Sequence, residues 1–438
     1  MAGRILVLDD EENYAEMLQD LLRENNYRVD MATRPERAID QLEEIPYDLV
    51  ISDYKMPVMD GADFLKKARE LYPNLPFILV SGLMNTPELV KVANMSVTLV
   101  MEKPLDTEAF LAQVARFSDP MTPEEKEAQA NEIDVSSVEN GESVSSYPSE
   151  PRFFSAVSAS GKRFMLKLWS ISNQSKEIFI LDSGGGDGEL AVKDLSGWRG
   201  NGDLPVNTLT LPETKEAALE KLRLIFSEFD QSNTVCIRIS DGSQIRRARM
   251  LTESAAMEID GTDNMLLVYL LEAENAATFL PDTGDIGVVL PALKIRPSDV
   301  ASYARRFAKI GSERSGMKRC SEFTPEAAYL VLSNDWPGGY KQVQEAVMGA
   351  VKSSDLDEPL TAELLQDALG IVPADPVSPD ARLQELMKRA QSAYFDAELA
   401  GGALTVSGLA ENLELDPSIQ TRAELDRLPL VKRELGTL

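Results

Sequence analysis

The chain has 438 residues, 43% of them hydrophobic, and a formal net charge of -28. That is long and apolar enough for two to four domains with real cores, and the charge excludes nucleic-acid or anionic-membrane binding by the overall field. Histidine is absent, which excludes Ser-His and Cys-His nucleophile pairs and His-ligated metals.

From residue 1 to about 118, short apolar runs ("RILVL", "YRVDMA", "DLVIS", "PFILVS", "VTLVM") alternate with helical stretches such as Phe64, Leu65, Ala68 and Leu71. This alternation predicts an α/β domain on a five-stranded parallel sheet covered on both faces. "MAGRILVLDDEE" reads as a first strand, not a signal peptide. The widely separated Cys236 and Cys320 fit no metal or disulfide framework. With no apolar run long enough for a bilayer, the expectation is a cytoplasmic protein without membrane contact.

Polar groups close these strands: Asp9 and Asp10 the first, Asp53 the third, Ser81 the fourth and Lys103 the fifth. Reactive crevices of open α/β sheets lie beyond the carboxyl ends of the strands, so these side chains are expected to converge. Three carboxylates at close range repel one another. Mg²⁺, which favours one or two carboxylates plus phosphate oxygens, resolves that repulsion. Asp53 is then the natural nucleophile for phosphoryl transfer, with Lys103 and Ser81 stabilising the phosphoryl group.

The "DD", "DYKMPVMDG", "SG" and "KP" marks closely resemble the receiver domain of bacterial two-component response regulators, over residues 1 to about 118. The resemblance implies a flavodoxin-like fold with strand order 2-1-3-4-5. It also implies a phosphohistidine donor on a sensor histidine kinase and Asp53 as acceptor. Asp9, Asp10, Asp53 and the backbone carbonyl of Lys55 would be the Mg²⁺ ligands. Receivers often carry Tyr or Phe three residues before the lysine, and here that position is Val100.

Residues 119–150 carry nine acids against one Lys126 and read as an acidic flexible linker. Strands and helices alternate again over residues 151–290. There "FILDSGGGDGELAV" runs a strand through a glycine loop, Ser183, Gly184, Gly185, Gly186, Asp187 and Gly188, into a helical pattern. A phosphate loop, G-x-x-x-x-G-K-[ST], needs its lysine, and that position falls on Asp187 or Gly188, depending on register; the acid would repel a triphosphate and the glycine would supply nothing. Residues 291–372 are helical.

This region resembles the AAA+ domain of NtrC-type sigma-54 activators. "LPALKIRPSDV" is similar to their "LPPLRER-x-x-DI" segment, and "WPGGYKQV" (Trp336, Pro337, Gly338, Lys341) to their lid motif. Against that pattern the loop lysine is missing and "TVCIRIS" offers Arg238 where two acids end the strand. Lys341 replaces the lid arginine, and neither "GAFTGA" nor a finger arginine is found. The expectation is a degenerate AAA+ domain that binds no ATP: no enzyme, but a pseudo-ATPase acting through protein contacts.

Residues 381–438 resemble the Fis-type helix-turn-helix tail of the same family, forming a small all-α domain. Seven basic residues face nine acids there, so DNA binding is expected to be weak or absent. The partners expected are the sensor kinase, an unknown downstream protein and a second copy through the receiver. The alternative is an NtrC-like transcriptional regulator that retains promoter binding.

Overall fold

The structure, a computed structural model, describes residues 3–82, 86–122, 147–201, 206–227, 234–259, 265–354 and 357–370. Most of the expected linker and the whole expected tail, 381–438, lie outside the described residues. The chain divides into two compact units. One is built on the N-terminal sheet and the other on a later sheet.

The first unit alternates β1 (Arg4–Leu8), α1 (Glu12–Glu24), β2 (Arg28–Ala32), α2 (Pro35–Glu44), β3 (Leu49–Asp53), α3 (Gly61–Leu71), β4 (Phe77–Ser81), α4 (Thr86–Ala93), β5 (Leu99–Glu102) and α5 (Thr107–Val114). The strands are all parallel, in the order β2-β1-β3-β4-β5. Every residue of "LVISD" and "FILVS" is buried, as expected of central strands covered on both faces. One face holds a core of Val7, Leu18, Leu22, Ile51, Ile78 and Phe110. Burial of each large side chain there contributes about 1.5–3 kcal/mol. Chain order reverses about β1, so the crevice opens between the ends of β1 and β3.

The second unit carries β6 (Glu177–Asp182), β7 (Asn207–Thr210), β8 (Thr234–Ile239), β9 (Leu266–Glu272) and β10 (Gly287–Leu290), also all parallel, in the order β10-β6-β9-β8-β7. Its longer helices are α6 (Ala159–Gln174), α7 (Gly188–Ser196), α8 (Lys215–Ser227) and α9 (Ile245–Ala256), followed by α10 (Pro297–Ser315, of which residues from Lys309 on count with the first unit), α11 (Pro325–Ser333), α12 (Gly339–Ser353) and α13 (Ala362–Leu369). Phe179 of β6 stacks on Tyr269 of β9 with ring centroids 4.5 Å apart. Leu222, Ile237 and Leu251 extend the same core. Here the order reverses about β6, so the corresponding crevice lies beyond Asp182.

The described linker ends differ from the expectation. The Gly3 amide donates to the Asp119 carbonyl and the Met121 amide to that of Asn26. At the other end Tyr147 stacks on Trp198, centroids 5.0 Å apart. Charge and serine content predict solvation along a stretch, but a few backbone bonds or one aromatic pair suffice to fasten its ends. Among the described residues no helix is long and apolar enough to cross a membrane.

Candidate functional site

The receiver-like crevice forms where the strand-end acids were expected to meet. Asp9 is 2% exposed and Asp53 7% exposed, whereas Asp10 is exposed. The ammonium group of Lys103 bridges the two buried acids, 2.8 Å from Asp9 Oδ2 and 2.7 Å from Asp53 Oδ1. Burial raises the pKa of Asp9 and Lys103 tempers that rise. Burial works against the Lys103 charge, but its bonds to Asp53 and Asp9 prevail and its pKa is raised.

Local bonds aim the carboxylates. The Glu11 amide donates to Asp9 Oδ1 at 3.0 Å and the Lys55 amide to Asp53 Oδ2 at 2.6 Å. The "DG" after "MPVM" also has a mechanical reason. Asp60 caps α3 by accepting from the Asp63 amide at 2.7 Å. A Cβ on Gly61 would collide with the Asp53 carbonyl oxygen and come within 2.8 Å of Tyr54 Cα.

Two features bear on a phosphoryl group. Ser81 is buried, and its hydroxyl has no hydrogen-bond partner among the described residues. An unused buried hydroxyl costs stability. Tyr14, which sequence reasoning missed, lies under Lys103 with the ammonium 4.0 Å from its ring centroid. Among the described residues no group of three or more acids by itself makes a metal site. The oxygen donors of Asp9 and Asp53 nevertheless suit Mg²⁺, which takes one or two carboxylates and completes its shell with water and phosphate.

The glycine loop of the second unit is built differently. Asp182 ends β6 and turns its carboxylate into the loop. It accepts amide hydrogens from Gly184 (3.0 Å), Gly185 (2.6 Å) and Gly188 (3.2 Å). Gly184 and Gly186 hold φ of 101° and 67°, a region that favours glycine. Asp187 was expected to face a ligand and repel it. It is instead fully buried and accepts from Arg296 Nη2 at 2.7 and 3.0 Å and from Tyr303 Oη at 2.9 Å.

Arg296 also donates to Asp299 Oδ2 at 3.1 Å. Burial disfavours its charge, but Asp187 and Asp299 outweigh that and its pKa is raised. Asp182, Arg296, Asp299 and Tyr303 were all missed in the sequence. The first carried a visible signal, because "FILD" ends in an acid just as "VISD" does.

Of the lid residues, Trp336, Pro337 and Gly338 fall in the turn between α11 and α12, and Lys341 in the first turn of α12. Trp336 is buried, and its indole N–H donates to the Val331 carbonyl at 2.8 Å. Pro337, Gly338 and Lys341 are exposed. The Tyr340 amide donates to the Gly185 carbonyl at 2.7 Å, so the lid turn is fastened to the glycine loop. At the ends of the neighbouring strands, Arg238 lies 2.5 Å from Glu272 and 3.5 Å from Glu189. A surface ion cluster thus occupies the place where two strand-end acids were sought.

Comparison with known proteins gives these arrangements a class. A model of the response regulator receiver domain matches residues 5–115. The transcriptional regulatory protein ZraR of Escherichia coli K12 is 25% identical over 380 residues, spanning 79% of this chain and 82% of its own. The response regulator protein FleR of Pseudomonas aeruginosa is 24% identical over 384 residues, spanning 80% and 76%. A crystal structure of NtrX from Brucella abortus in complex with ADP covers 99% of this chain and 100% of its own, at 18% identity and a TM-score of 0.40. That structural likeness is too loose to carry an argument.

The protein is a two-component response regulator with an N-terminal receiver domain. Over most of its length it is homologous to the NtrC-type sigma-54 activators.

The expectation that this chain is no enzyme is corrected by the same comparison. The relatives that align with about four-fifths of it belong to a class of AAA+ proteins that are typically ATPases. The residues at Gly188, Arg238 and Lys341 stand as departures in sequence, and they do not establish that hydrolysis is lost. Nor does Asp187 repel a ligand as expected, since its carboxylate is neutralised by Arg296 and faces inward.

Proposed function

We propose that Asp53 is the phosphoacceptor, modified by a sensor histidine kinase, and that the second unit passes the change on through protein contacts. The observation that carries this is the Lys103 bridge between Asp9 and Asp53, with the unpartnered Ser81 hydroxyl beside the same strand ends. A phosphoryl group on Asp53 adds negative charge next to an ammonium already within 2.7 Å. Lys103 then turns from carboxylate to phosphoryl oxygen, and Ser81 gains the acceptor it lacks.

Asp9, Asp10, Asp53 and the carbonyl of Lys55 would hold Mg²⁺. When bound, the ion neutralises charge on the transferred group. Asp53→Asn keeps the side-chain shape and the Lys55 amide contact but removes the nucleophile. Incubation with acetyl phosphate or the cognate kinase should label the wild type and leave the variant unlabelled. Equal labelling of both would remove Asp53 from the role.

A second reading, promoter binding through the tail, is favoured by the regulators that align with most of the chain. Gel shifts at two salt concentrations separate the readings. Tight binding to specific DNA with a steep salt slope supports promoter binding, and weak binding supports output by protein contact.

A further inference from the structure

The loop motif G-x-x-x-x-G-K-[ST] has two anchoring glycines. If Asp182 takes the first position, Asp187 takes the second and Gly188 the lysine. Both glycines have become acids, and both acids fold inward. Their roles differ. Asp187 is matched by a guanidinium and a phenol, whereas Asp182 is held chiefly by loop amides, the groups that cradle an anionic ligand in a loop of this type.

We infer that Asp182 is a built-in anion that plugs the glycine loop, and that a phosphate-bearing ligand enters only when Asp182 takes up a proton and yields those amides. This rests on the reading of the second unit as a nucleotide-binding frame.

The charges around Asp182 support a proton-linked plug. Asp187 lies on its own loop, Arg296 and Asp299 precede and begin α10, and Glu272 ends β9 beside Arg238, which also faces Glu189 of α7. Three buried carboxylates (Asp182, Asp187 and Asp299) therefore share one buried guanidinium. Burial, with the charge of Asp187, pushes the Asp182 pKa up to about 7. A ligand phosphate cannot join three ionised carboxylates around one cation cheaply. Proton uptake removes one charge and weakens the grip of Asp182 on Gly184, Gly185 and Gly188 in the same step. The lid is set by the same loop, because Tyr340 holds the Gly185 carbonyl, so displacing the plug disturbs the lid turn.

The test is isothermal titration of ADP into the full chain at about pH 7.5 and about pH 8.5, where the ADP phosphates stay ionised. Wild-type affinity should fall nearly tenfold across that unit, with about one proton taken up per ADP in buffers of different ionisation heat. Asp182→Asn should bind at least about tenfold more tightly than wild type at the higher pH and lose the pH dependence. Binding by Asp182→Asn alone also supports the plug. A flat wild-type profile, no gain in Asp182→Asn, or no binding by either protein overturns it. Circular dichroism checks the variant's fold, and if it fails to fold, the wild-type series decides by itself. Loss of the plug leaves the Asp53 labelling experiment untouched, so the two readings fail separately.

Discussion

"VISD" and "FILD" end strands at the reversal point of two parallel sheets, and each delivers an acid to the crevice beyond. The two acids are compensated in different ways. Asp53 meets Lys103, a single ammonium on a flexible stem, 23% exposed and shared with Asp9. Asp182 lies near Arg296, fully buried and fixed between Asp187 and Asp299. Among the described residues each site keeps an unpartnered serine hydroxyl, Ser81 in the first and Ser183 in the second, but the loop of the second has turned three amides onto its own carboxylate. A reactive acid needs a cation that can let go. Asp187 is the structural case, because its guanidinium is buried and fixed.

The largest break in this comparison should come from Arg296→Met. It leaves Asp187 and Asp299 buried without a counter-charge, and removal of one partner from a buried pair costs about 3–5 kcal/mol. Urea unfolding followed by tryptophan emission reads the second unit, because the three tryptophans, Trp169, Trp198 and Trp336, all lie there. A loss below about 1 kcal/mol would put the burial argument in error.

Next is the pH dependence. Burial pushes Asp182 up to about 7 and Asp194 up to about 6, the latter tempered by the amides of Arg152, Phe153 and Phe154. A raised carboxyl pKa means the folded state keeps a proton that the unfolded chain releases near pH 4. Stability therefore falls as pH rises from that value through these folded pKa values and recovers as pH is lowered again. The second unit should gain about 2 kcal/mol between about pH 8 and about pH 6, most of it from Asp182. Asp182→Asn should flatten the upper part of that slope, and an unchanged slope would take Asp182 out of it.

In the receiver, Lys103→Met should do the opposite of Arg296→Met. Folding should change little, while Mg²⁺ affinity tightens by about 1 kcal/mol because a competing cation has left two carboxylates. Calorimetric titration measures this, and weaker binding would show that Lys103 orders the site. The smallest effect is Asp60→Ala, which removes the α3 cap at a cost of about 1 kcal/mol, seen as a lowered melting temperature of the receiver domain.

Most of the secondary structure was legible because buried parallel strands are continuous apolar runs, and "LVIS", "FILVS", "FILD" and "LLVYLL" are all of that kind. Order, spacing and residue type were likewise enough to bring Asp9, Asp53 and Lys103 together, since strand ends on one edge of a parallel sheet must lie together. Pairings across long sequence distance were not legible. Nothing local connects Asp187 with Arg296, 109 residues away, or the Asp194 carboxylate with the amides of residues 152–154. Motif spacing in one register therefore marked Asp187 as a repelling acid, and only the packed structure shows it as half of a buried ion pair.

The sequence by itself determined which residues can form strands, helices and a strand-end carboxylate site, because these follow from periodicity and chain order. The tertiary structure alone decided which charges neutralise which, because that depends on where the chain brings a guanidinium or an amide once water has been excluded.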